Sequence, residues 1–109
     1  MIRIIIRQDC EGRLLGFSTA GHAGYAEAGE DIVCAAVSVL VLNTVNSVEQ
    51  LTENGFRAEQ NQETGEIDFR FAEIPDSSGE LLLRSMILGL EQIQEEYGAE
   101  YLRLQFEEV

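Results

Sequence analysis

Residues 19–42 read TAGHAGYAEAGEDIVCAAVSVLVL, a glycine-punctuated segment that runs straight into a long apolar helix. Glycines at 21, 24 and 29 admit backbone angles closed to other residues, so the segment can fold back over the helix start. A loop of that length in a compact domain is usually functional or disordered, and the tyrosine, alanines and histidine interleaved with its acids argue against disorder. Asp31 is the natural N-cap, placing Ile32, Val33 and Cys34 in the first turn. The expected helix runs to about Glu53 and ends at Asn54-Gly55, read as a left-handed C-cap pair. Its first half is apolar on every side, which predicts packing deep in the core or against another subunit.

Upstream, Ile2, Ile4 and Ile6 alternate with Arg3, Ile5 and Arg7, the period of a strand with one buried face. Cys10, Glu11 and Gly12 supply a turn, and 13–19 returns as a strand with Leu15 and Phe17 on one face. Downstream, 56–61 and 66–72 form a second hairpin carrying Ile67, Phe69 and Phe71 on a common face. Ser77 and Glu80 have capping-box spacing at the start of a helix bearing Leu83, Met86, Ile87, Leu90, Ile93 and Tyr97. Gly98 closes it, and 101–107 is a last strand with Leu102, Leu104 and Phe106 facing inward. Strand, strand, helix, strand, strand, helix, strand predicts an α+β fold of two layers, a mixed five-stranded sheet with both helices on one face. At 109 residues the expectation is one domain, 1–109, with a real core.

Twenty acids against seven bases give a net charge of −13, which disfavours nucleic acid and favours a basic partner. No uninterrupted apolar run approaches the ~20 residues of a membrane span. The N-terminal run is too short and too charged for a signal peptide, so a cytoplasmic protein is expected. Cys10 and Cys34 read as free thiols rather than a disulfide framework.

The segment's chemistry depends on a thiolate. An unperturbed cysteine ionises near pH ~8.5, and a helix N-terminus favours the anion. His22, the only histidine, lies twelve positions before Cys34, a span that a folded-back loop crosses easily, and could exchange a proton with it. Asp31 opposes thiol ionisation unless its carboxylate turns to the helix amides or to His22. Metal binding by His22, Cys34, Glu27, Glu30 or Asp31 lacks paired cysteine spacing, and no cofactor is expected.

The run Gly21, His22, Ala23, Gly24, followed by Gly29, Asp31, Ile32, Val33, Cys34, Ala35, Ala36, Val37 and Ser38, resembles the signature of the ribosomal-processing cysteine proteases, the Prp family. The resemblance extends to chain length and element order. It implies a homodimeric α+β endopeptidase that cuts a short N-terminal extension from a large-subunit ribosomal protein through a cysteine and histidine dyad. Carried over, Cys34 is the nucleophile and His22 the general base and acid. Gly21, Asp31 and Ser38 are supporting residues, with Ser38 one helical turn beyond Cys34. The implied partner is a basic ribosomal protein, with no direct nucleic-acid or membrane binding. Closure of loop 21–30 over the site is expected when substrate binds. One rival reading is a non-catalytic acidic module that binds a basic ribosomal protein. Another is a thiol redox protein, for which Cys10 is a poor resolving partner.

Overall fold

The computed structural model describes residues 1–22, 24, 26, 31–61 and 63–109. Its elements are β1 (Ile2–Gln8), β2 (Leu14–Ala20), α1 (Ile32–Leu51), β3 (Phe56–Asn61), β4 (Glu66–Phe71), α2 (Ser77–Tyr97) and β5 (Leu102–Glu108). The strands form one sheet in the order β3-β4-β2-β1-β5. β5 runs parallel to β1 and the other neighbours are antiparallel, so the sheet is mixed, as expected.

The register decides which side is buried. Ile4 pairs with Leu104, Phe17 with both Ile6 and Phe69, and Phe69 with Ala58, which places the apolar alternation on one face. Both helices cover that face: Val33, Val37, Val41 and Val48 of α1 join Leu83, Met86, Ile87 and Leu90 of α2 in a single core with the strands. The helices approach closely at Gly89, where an added β-carbon would press on Leu40.

Several local expectations are corrected. Leu14, not Leu15, takes the buried place beside Phe17, because β2 carries one extra residue between the pairs Arg7–Gly16 and Gln8–Leu14. This bulge reverses the alternation at the hairpin end. Helix α1 stops at Leu51, and Thr52 turns its hydroxyl onto the Val48 carbonyl at 2.7 Å. Asn54 is therefore no left-handed cap but a brace for α2, accepting from the Asp76 amide at 2.9 Å and donating to its carboxylate at 2.8 Å. The N-cap of α2 is Asp76, with Ser77 already helical. Glu80 accepts instead from the Leu14 amide, at 3.1 Å, and so ties α2 to the bulge. Phe106 is exposed near the end of the edge strand β5.

Of the two placements expected for the first half of α1, deep burial on all sides does not occur within this chain. Ile32, Val39 and Leu42 are exposed, with Val39 67% accessible, so the helix packs on one side only. By length and composition α1 is apolar enough to cross a membrane, with mean hydropathy 1.7, although Asn43, Thr44, Asn46 and Ser47 interrupt its apolar run. Its valines at 33, 37, 41 and 48 are already packed on the sheet and α2, and core helices commonly have this composition.

Asp76 makes one stability dependence readable. Hydrogen bonds from Ser78, Asn54 and the Gly79 amide favour its ionised form and hold its pKa at about 2, below the ordinary 3.8. A depressed carboxylate contributes stability above its unfolded pKa and loses it as pH falls through the folded one. The stability difference between the native chain and Asp76→Asn should therefore shrink between about pH 4 and pH 2, measured by urea melts. A constant difference across that window would contradict the assignment.

Candidate active site

Asp31 begins the site. Its extended backbone ends the loop, and its Oδ1 accepts from the Val33 and Cys34 amides, each at 3.0 Å. The carboxylate is thus turned to the helix amides, one of the two orientations that spare a thiolate at Cys34 from direct repulsion. It also fixes the first helical turn, setting the direction of the half-buried Cys34 side chain.

His22 arrives from the opposite side, two residues beyond the end of β2. Gly21 makes the bend with φ +86°, and a β-carbon there would run into the carbonyl oxygen of Met1. Only glycine satisfies both demands. Gly21→Ala should displace the strand end and His22 with it, cutting catalytic efficiency by about tenfold to a hundredfold, because small misplacements of reacting groups are costly. Peptide-cleavage kinetics beside a thermal melt test this. Native kinetics would show that the bend does not position the histidine.

Two adjoining cavities share His22, Cys34 and Ser38 in their walls. The first, about 150 Å³, lies between α1 and the end of the sheet, where Ile2, Val37, Val41 and Ile67 give it an apolar lining. The second, about 520 Å³, opens toward Asp31, Ala35, Gly24 and Ala26. Every site residue expected from the sequence is therefore brought to one end of the sheet. Gly21 and Asp31 each line one cavity, and Cys34, His22 and Ser38 line both. The sequence reading missed Ile2, Thr19, Gly65 and Ile67, whose contribution depends on strand order. Val37 and Val41 were within reach of it, being three and seven positions after Cys34 on the same helix.

Cys10 sits exposed in the turn between β1 and β2, at the other end of the sheet, about 20 Å of strand length away. That separation removes it as a resolving thiol. No group of three metal-ligating side chains occurs among the described residues. The closure expected of loop 21–30 turns on Ala23, Tyr25 and 27–30, which lie outside the described residues, as do the candidate ligands Glu27 and Glu30.

A thiol in the first turn of a helix, an imidazole on the same wall and a cleft open to solvent form the arrangement of a cysteine hydrolase. The chain belongs to the Cysteine protease Prp family, whose profile matches residues 1–102. It is 35% identical over 101 residues to the ribosomal processing cysteine protease Prp of Bacillus subtilis, covering 89% of this chain and 90% of that one. To the Staphylococcus aureus protein of the same name it is 31% identical over 106 residues, covering 97% and 99%. The crystal structure of the essential S. aureus ribosomal processing protease Prp with a covalently linked product peptide superposes with a TM-score of 0.93 at 31% identity, over 98% of this chain and 100% of that one. A second, with a substrate peptide, gives a TM-score of 0.87 at 30% identity with the same coverage.

Proposed function

We propose that this protein is a cytoplasmic cysteine endopeptidase that removes a short N-terminal extension from a large-subunit ribosomal protein. The observation that carries the reading is the common wall of the two cavities: Cys34, His22 and Ser38 line both. Ribosomal processing is the activity named for its B. subtilis and S. aureus relatives.

Chemically, His22 takes the thiol proton of Cys34 and the sulfur attacks the scissile carbonyl carbon. The Cys34 amide is already engaged by Asp31 at 3.0 Å, so the developing oxyanion needs another donor. Ser38, which lines both cavities, supports the reading that its hydroxyl supplies that donor. The C–N bond then breaks, the amine leaves with the proton from His22, and the extension remains as a thioester on Cys34. Water, deprotonated by His22, releases it. Asp31 holds the nucleophile's turn, and Gly21 holds the histidine.

The −13 charge suits a basic substrate. Cleavage efficiency should fall as salt rises from about 0.1 M to about 1 M, because the Debye length drops from ~10 Å to ~3 Å and steering is lost. Efficiency unchanged across that range would assign the charge to solubility alone. The exposed apolar residues Ile32, Val39 and Leu42 of α1, with Leu81 and Leu88 of α2, support assembly as a homodimer through the helical layer.

Incubating the protein with extended and truncated forms of the ribosomal protein, and weighing the products, tests the function. One cut, confined to the extended form, is expected. Binding without cutting would favour the non-catalytic module.

A further inference from the structure

We infer that the open face of the sheet, opposite the helices, is a docking surface for an extended acidic protein segment. All seven cationic side chains of this chain are arginines, and five of them (3, 7, 57, 70 and 103) fall on this one face by register. Elsewhere the surface is overwhelmingly acidic.

Their arrangement works against folding. Arg57 lies directly opposite Arg70 on β4, and Arg3 directly opposite Arg103 on β5. Like charges in register destabilise a sheet. Among the described residues Arg3, Arg57 and Arg103 have no ion-pair partner, whereas Asp68 serves both Arg7 at 2.9 Å and Arg70 at 3.5 Å. The two arginine pairs stand at opposite corners of the face, and each borders a shallow hollow. One, of about 200 Å³, is shared with Glu59 and Asp68; the other, of about 240 Å³, with Ile5 and Gln105.

Between the corners the diagonal crosses Gly16, Ser18 and Ile5, where the Arg7–Asp68 ion pair bridges β1 to β4 over β2. The acids lie to its sides: Glu59, Glu66 and Asp68 on one, Glu107 on the other. Strand spacing and residue rise put the arginine pairs about 20 Å apart, the reach of about six residues of extended chain. Each pair of guanidinium forks suits a carboxylate. The flanking acids and the net charge oppose a continuous polyanion such as RNA, but not carboxylates confined to the two ends of a short segment. The basic substrate of the catalytic groove is not the occupant.

The test uses the full chain and a fluorescein-labelled peptide of ten residues, with two glutamates at each end and serine and isoleucine between. Controls are the same peptide with glutamine for glutamate, and a single-stranded oligoribonucleotide of ten nucleotides. Anisotropy at low salt should show the acidic peptide binding at least about tenfold more tightly than its glutamine control, with the advantage fading at high salt. Arg3→Gln with Arg103→Gln, or Arg57→Gln with Arg70→Gln, should weaken binding about tenfold and raise the melting temperature, leaving peptide cleavage unchanged. Equal affinity for the two peptides, equal weakening by Arg13→Gln with Arg84→Gln, a lowered melting temperature in the face variants, or tighter binding of the oligoribonucleotide would each overturn the inference.

Discussion

Cys34→Ala should lose at least about a thousandfold in cleavage rate while folding normally and still binding substrate. The nucleophile and its base act as a unit, so removing either forfeits most of the acceleration and leaves only what positioning and oxyanion stabilisation supply. His22→Ala should fall nearly as far, since the chain has no second histidine to take the proton. The folding cost should be small: Cys34 is half-buried and borders two cavities, so alanine leaves little new void. Single-turnover cleavage with circular dichroism on the same samples separates the effects. Cleavage by Cys34→Ala at a tenth of the native rate would remove it as nucleophile.

Phe69→Ala should cost about 3–5 kcal/mol of folding stability, much of what a domain this size possesses. Phe69 is fully buried at the centre of an aromatic group, stacked on Phe17 and on Phe56 at 5.1 Å and set edge-on to Phe71 at 5.0 Å. These rings come from β2, β3 and β4, so truncation opens a cavity that no single side chain can close. A urea melt measures the loss. A change below about 1 kcal/mol would mean that the neighbouring rings collapse into the space.

The fold was legible where burial alternates cleanly. Ile2, Ile4 and Ile6 announced β1, and Ile67, Phe69 and Phe71 announced β4, because one face of each is packed on the helices. Legibility failed where a long-range partner decides the outcome. Glu80 has capping-box spacing from Ser77, yet the bulge in β2 exposes a Leu14 amide that claims its carboxylate. Asn54 beside Gly55 reads as a helix stop, but its amide is drawn to Asp76, twenty-two positions away. Leu15 yields to Leu14 because alternation assumes a regular strand, and an inserted residue is not visible in composition. The apolar first half of α1 could be read, but not which side the sheet would take.

In the site, His22 and Cys34 were legible because the chain holds one histidine and places one cysteine immediately inside a capped helix. The apolar cavity beside them was not, because Ile2 and Ile67 belong to strands that the order β3-β4-β2-β1-β5 brings to the same end from opposite parts of the chain. The arginine face stayed hidden for the same reason: its like-charged pairs exist only once the register is known.

The most direct measurement of the central claim is the intact mass of the protein quenched in acid within the first turnover on an extended ribosomal-protein substrate, followed by peptide mapping. A transient increase equal to the acyl mass of the released extension is expected, located on Cys34, lost on longer incubation and absent from Cys34→Ala. Full cleavage with no adduct at any time in native protein, together with undiminished cleavage by Cys34→Ala, would contradict it.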